Sequence, residues 1–146
     1  MTFRVLSTNH TSFTVTSLDR TIAFFQELGF ELTSRGPRDP DVIEAITGVP
    51  GARVTIAFLR GPGHNIELIE YSGPDQREIH RPRPCDVGFA HVGYDVEGID
   101  AAIAAAARHG FKPIAAPYVV TSGPNTGKKA AYLRDPDGLT IEMLGY

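Results

Sequence analysis

The sequence predicts an α+β chain in which two tandem βαβββ modules build a curved mixed sheet, and three observations predict it. The first is an internal repeat. The segment His10-Thr-Ser-Phe-Thr-Val-Thr-Ser-Leu18-Asp19 recurs as His91-Val-Gly-Tyr-Asp-Val-Glu-Gly-Ile99-Asp100, a constant offset of 81 positions (91 − 10). Ala57-Phe-Leu59-Arg60 recurs as Ala131-Tyr-Leu133-Arg134, and Ile66-Glu67-Leu68 recurs as Ile141-Glu142-Met143. The second is that apolar residues switch from period 2 to helical spacing at the same place in each copy. The third is 15 glycines and 11 prolines among 146 residues, which many short strands joined by turns require.

Each element follows from its local pattern. Residues 10–16 and 90–96 alternate, with Phe13 and Val15 matched by Tyr94 and Val96, as in a half-buried strand. A helix follows, with Leu18, Ile22 and Phe25 on one face, echoed by Ile99, Ile103 and Ala106. Gly29 and Gly110 fall where a left-handed glycine ends a helix. Three strands complete each copy, near 31–35, 54–59 and 65–71, then near 112–115, 129–133 and 140–144. Arg60–His64 and Arg134–Gly138 supply tight turns between the last two strands of each copy. The first module therefore spans about 5–71, a Pro-rich linker 72–88, and the second module about 89–146. Residues 37–51 form an irregular insertion with room for a short helix at Val42–Ile46.

Composition bounds the function. Lys and Arg number 14 against 17 Asp and Glu, a net charge of −3 that offers nucleic acid or an anionic membrane no electrostatic footprint. The one cysteine, Cys85, excludes an intramolecular disulfide framework. No run approaches the roughly 18 apolar residues a membrane span needs, and the N-terminus carries no secretory pattern, so a cytoplasmic protein is expected.

Strand alternation decides which polar groups face together. Thr11, Phe13 and Val15 pack under the helix, which leaves His10, Ser12 and Thr14 on the open face. His91 takes the equivalent place opposite Val92, Tyr94 and Val96. Ile66 and Leu68 leave Glu67 on the face away from the helix, as Ile141 and Met143 leave Glu142. Four ionisable residues thus occupy two pairs of equivalent positions. Singly, each reads as a solvated strand residue. As symmetry-related pairs, two imidazoles and two carboxylates suit a divalent transition metal with coordination positions left open.

Three passages carry a resemblance that covers nearly the whole chain. They are His10…Ser17-Leu-Asp-Arg-Thr-Ile-Ala-Phe-Phe25…Leu28-Gly-Phe30, then Gly88-Phe-Ala-His91, then Tyr132-Leu-Arg-Asp-Pro-Asp-Gly138…Ile141-Glu142. With them the chain resembles the vicinal oxygen chelate superfamily, the glyoxalase, bleomycin-resistance and extradiol-dioxygenase group. The resemblance implies a glyoxalase-like cup made by two βαβββ modules. It implies one divalent ion (Ni, Zn, Co, Mn, Mg or Fe) held by His10, Glu67, His91 and Glu142. Phe25 departs from the family, which commonly has tyrosine there, and the insertion before Val54 is longer than in compact glyoxalases.

The activity implied is that of a metal-dependent glyoxalase-like lyase/isomerase or epimerase, closest in ligand set to glyoxalase I and acyl-CoA epimerases. Such enzymes move a proton next to a carbonyl through a metal-bound enediolate or enolate, with Glu67 or Glu142 as the base. The substrate is then a small carbonyl or thioester compound, and family precedent implies a homodimer. A ferrous dioxygenase is the alternative, against which Glu67 weighs, because a fourth ligand removes a position that catechol and dioxygen both require. A non-catalytic drug or small-molecule binder is the third reading, and such members often lack the ligands present here. The glycine-rich segment Tyr118–Lys128 offers Asn125 and Lys128 to an anionic substrate group, whereas His64, His80, His109 and Cys85 read as structural or solvated.

Overall fold

The computed structural model describes residues 3–146. Two compact units divide at Arg77/Glu78, inside the proline-rich linker. In the first unit the elements are β1 (Thr11–Thr14), α1 (Leu18–Glu27), β2 (Glu31–Pro37), α2 (Pro40–Thr47), β3 (Arg53–Arg60) and β4 (Asn65–Gly73). They form one sheet of order β1-β4-β3-β2, with β1 parallel to β4 and the other pairs antiparallel. In the second unit follow β5 (Val92–Val96), α3 (Ile99–Arg108), β6 (Lys112–Pro113), β7 (Tyr118–Val119), β8 (Lys129–Arg134) and β9 (Thr140–Gly145). The order β5-β9-β8-β6 repeats that of the first sheet, again with the outer pair β5 and β9 parallel. The α+β class and the mixed sheets are those the repeat predicts.

The helix faces explain the packing. Leu18, Ile22, Phe24 and Phe25 of α1 are buried over Ile66 and Leu68 of the sheet. Ile99 and Ala106 of α3 are buried likewise, with Ile141 and Met143 buried in the sheet beneath. Ser17 caps α1 by accepting from the Arg20 N–H at 3.3 Å. Glu70 reaches the helix start from β4, accepting the Leu18 N–H at 2.7 Å, where a carboxylate also suits the helix dipole. Gly29 and Gly110 end their helices at φ +89° and +87°, a conformation a side chain would strain.

The structure revises several boundaries. His10 and His91 each stand one residue before their strand rather than within it. The strand anticipated at 112–115 shrinks to two residues, because Pro113 has no N–H and Pro117 follows closely. A further short strand, β7, pairs with β8 instead, giving nine strands among the described residues where eight were expected. Part of the linker packs within the second unit. Arg134 Nη2 donates to the Pro82 carbonyl at 2.6 Å, and a side chain at Gly138 would strike the His80 carbonyl. Asp135, buried in that turn, accepts the N–H groups of Asp137 and Leu139, both at 2.9 Å.

The insertion is ordered. Asp39 caps α2, Pro40 opens it, and Gly48 at φ +70° ends it. Ile43 packs with Ala52, Val54 and Ile56, and with the half-buried Val49, Phe58, Ile69 and Tyr71. In the β3–β4 register Phe58 lies opposite Glu67, Ile56 opposite Ile69, and Val54 opposite Tyr71. The insertion therefore covers one end of the very face that carries Glu67, and leaves the His10 end open. No helix among the described residues is long and apolar enough to cross a membrane.

Candidate functional site

In the first unit, parallel pairing sets Ser12 of β1 directly beside Glu67 of β4. His10, two residues before Ser12, comes onto the same face, and its Nε2 lies 3.6 Å from Glu67 Oε1. The Ser12 hydroxyl donates to that same oxygen at 2.7 Å. On the other side of the imidazole, Nδ1 and Asn9 Oδ1 are 2.6 Å apart. An amide oxygen only accepts, so a proton on Nδ1 satisfies this contact, and Nε2 is the nitrogen turned toward Glu67. Asn65 Nδ2 in turn donates to the Asn9 carbonyl at 3.2 Å, and the Phe58 ring meets His10 edge-on at 5.9 Å.

The second unit repeats the pair with different surroundings. His91 Nε2 lies 3.2 Å from Glu142 Oε2. The position equivalent to Ser12 is Gly93, which lies opposite Glu142 in the register and offers it no hydroxyl. Tyr132 is opposite Glu142 on the other side, where the first unit has Phe58, and its phenol oxygen is 3.4 Å from His91 Nε2. Burial, and secondarily the Glu142 charge, hold that phenol above its ordinary pKa, so it remains a proton donor at neutral pH. Phe89 stacks on His91 at 5.7 Å, with the Arg134 guanidinium 5.8 Å from the Phe89 centroid.

Both pairs are partly buried: the side chains of Glu67 and Glu142 retain 13% and 22% of their accessible surface, those of His10 and His91 33% and 30%. They are thus neither dry structural ion pairs nor free surface charges. Each unit unites one imidazole with one carboxylate, and no cluster of three or more His, Cys, Asp or Glu side chains occurs among the described residues. The donor chemistry fits a divalent ion: each pair offers an Nε2 lone pair and a carboxylate oxygen converging from adjacent strands.

Ser12, Asn9 and Tyr132 escape a reading of the repeat, for distinct reasons. Ser12 and Asn9 have no counterpart of like chemistry in the second copy. Tyr132 does carry a signal in the sequence: it alternates with the buried Ala131 and Leu133, so it must share the Glu142 face. Lys128 is already engaged, donating to Asp95 Oδ1 at 2.5 Å, a contact that raises its pKa and neutralises the charge expected to meet an anionic substrate. Cys85 and His80 are exposed, and His109 forms the C-cap of α3.

A like imidazole–carboxylate pair recurs on each of the two repeated sheets, and sequence comparison names the family. The chain belongs to the Glyoxalase/Bleomycin resistance protein/Dioxygenase superfamily, which it matches over residues 7–143. It is 34% identical over 145 residues to a 2-epi-5-epi-valiolone epimerase from an Actinomyces species, covering 95% of this chain and 79% of that protein. Among solved structures it is similar to a glyoxalase family protein from Bacillus cereus, with TM-score 0.84 and 28% identity, covering 99% of this chain and 96% of that one. It is also similar to glyoxalase I from Zea mays, with TM-score 0.62 and 26% identity, over 92% of this chain and 43% of that longer one.

Proposed function

We propose that the protein is a divalent-metal-dependent isomerase of the epimerase type, which moves a proton on a carbon next to a carbonyl. The observation that carries this reading is the equivalence of His10–Glu67 and His91–Glu142, each an imidazole and a carboxylate at matching positions. The similarity to an epimerase supports the reaction class. His10, Glu67, His91 and Glu142 would hold the ion. Bound there, it supplies Lewis-acid stabilisation of the negative charge that grows on the carbonyl oxygen as the neighbouring C–H is broken.

This chain's own groups divide the remaining work. Glu67 is the anchored carboxylate, because the Ser12 hydroxyl fixes one of its oxygens. Glu142 faces Gly93, which offers no counterpart of the Ser12 hydroxyl, so it is the carboxylate that would take the proton. The Tyr132 phenol lies 3.4 Å from His91 Nε2, and with that nitrogen on the ion its O–H would be free to donate toward the developing charge. Glu142 then passes the proton to solvent, and a solvent proton delivered to the opposite face of the carbon inverts it, which is epimerisation.

The test is metal analysis of the purified chain alongside its Glu67→Gln variant. About one equivalent of a divalent ion is expected in the native protein, with affinity lowered at least tenfold in the variant. Full occupancy and affinity in Glu67→Gln would remove the fourth ligand and favour the dioxygenase alternative. A native protein that takes up no metal from a supplemented medium would favour the binder. Ser12→Ala is expected to weaken binding roughly tenfold in a calorimetric Ni²⁺ titration, since losing a partner of a ligand typically costs that much.

A further inference from the structure

Beside His10 the open face of the first sheet forms a cleft of about 350 Å³, bordered by Asn65, Arg60, Thr33, Ser34 and Phe58. We infer that this cleft binds the hydroxylated ring of a neutral polyhydroxy ketone and thereby turns the ketone's carbonyl toward the His10–Glu67 pair. The inference rests on the proposed function for the reaction and adds the class of substrate.

The placement comes from register. Arg60 lies opposite Asn65 and Phe58 opposite Glu67, so all four share the face that carries His10. Asn65 precedes Glu67 by two residues, about 7 Å along a strand, a distance one six-membered ring spans. On β2 a bulge falls between Leu32 and Ser34, which brings Ser34 opposite Phe58 and turns its hydroxyl to the cleft side. Bulges commonly re-aim a side chain beside a site in this manner. The Thr33 hydroxyl donates to the Phe58 carbonyl at 3.0 Å, which holds the bulge and leaves the oxygen as an acceptor.

The chemistry of the lining selects the ligand. A ring polyol has an apolar C–H face and a polar rim, and Phe58 supplies a flat apolar surface between polar neighbours. Asn65 uses one amide hydrogen on the Asn9 carbonyl, which leaves its second hydrogen and its oxygen for one donor and one acceptor hydroxyl. Ser34 adds a hydroxyl that both donates and accepts. An anionic group, such as the phosphates of a coenzyme A thioester, would need an uncommitted cation. Arg60 does not provide one, because its Nη2 donates to Glu31 Oε2 at 2.6 Å. Its remaining N–H groups stay available to neutral oxygens. Hydroxyls, not charge, are what this cleft reads.

The experiment is calorimetric titration of the full chain, saturated with Ni²⁺, with pentahydroxycyclohexanone and with hydroxyacetone, a ketone that has no ring. Asn65→Leu is expected to raise Kd for the ring ketone about tenfold and Ser34→Ala about threefold, the range for one or two lost hydrogen bonds. The Kd for hydroxyacetone is expected to change less than twofold in either variant. Equal weakening for both ketones would reduce these residues to a structural role and overturn the inference. So would an unchanged Kd for the ring ketone, or tighter binding of dihydroxyacetone phosphate than of the ring ketone. Solvent deuterium incorporation, measured in parallel, keeps the two readings apart. Asn65-dependent binding without deuterium exchange would sink the proton-transfer reading and keep the cleft. Exchange with an Asn65-independent Kd would do the reverse.

Discussion

Glu142→Gln is expected to lower solvent deuterium exchange at the carbon beside the carbonyl by about 10²–10⁴-fold, the contribution typical of a positioned general base. Glutamine keeps the shape of the side chain and an oxygen for coordination but cannot accept the proton. The sheet around it should stand, since Ile141 and Met143 on either side carry the packing and both are fully buried. Proton NMR in deuterium oxide, with unfolding midpoints of both proteins as a control, measures the effect. The comparison with Glu67→Gln decides the division of roles. If both carboxylates are needed for the ion but Glu142 alone moves the proton, restoring metal saturation at high Ni²⁺ should recover exchange in Glu67→Gln and not in Glu142→Gln. Recovery in Glu142→Gln would assign the base elsewhere.

Phe25→Ala is expected to destabilise the first unit by about 3–5 kcal/mol, the usual cost of deleting a buried aromatic ring. Phe25 is fully buried, with ring centroids 5.1 Å from Phe24, 5.2 Å from Phe30 and 6.4 Å from Phe13. Against a total of about 5–15 kcal/mol for a native domain, that loss is large. In urea the midpoint of the transition should fall by more than about 1 M, and Phe25→Leu should fall less, because most of the volume remains. A shift below about 0.3 M for Phe25→Ala would mean that this cluster does not hold α1 on its sheet. The aromatic setting suits phenylalanine, since a hydroxyl buried among these apolar rings would need a hydrogen-bond partner.

Much of the fold was legible because two periodicities and a repeat carried it. Period 2 placed Glu67 between Ile66 and Leu68, and Glu142 between Ile141 and Met143, and the structure keeps all four apolar residues buried on the helix side. Helical spacing placed Leu18, Ile22 and Phe25, and the glycines after each helix took the left-handed conformation expected of them. The second strand of the second module failed for a local reason. Pro113 and Pro117 interrupt it, and the ladder passes in part to Tyr118 and Val119.

The candidate site divides along the same line. His10, Glu67, His91 and Glu142 stand out because duplication writes each choice twice, and the structure joins them as one pair in each unit. Their partners were not found, because Ser12 and Asn9 occur in one copy only and acquire meaning through distances. Lys128 illustrates the converse: a lysine in a glycine-rich loop suggested a cation for a ligand, and Asp95, 33 positions away, pairs with it.

The sequence by itself determined the repeat, the helix-facing and open sides of β1, β4, β5 and β9, and the four residues worth mutating. Those properties are local, set by the alternation of side chains along a strand and by the repetition of a pattern. Tertiary structure decided the rest: which oxygen of Glu67 receives the Ser12 hydroxyl, which nitrogen of His10 turns to the carboxylate, which charges are already paired. It also decided that residues 37–51 fold back over one end of the Glu67 face and leave the cleft beside His10 open. Such outcomes depend on strand register and on contacts between residues far apart in the chain. A shift of one position in register would send the same side chains to the opposite face.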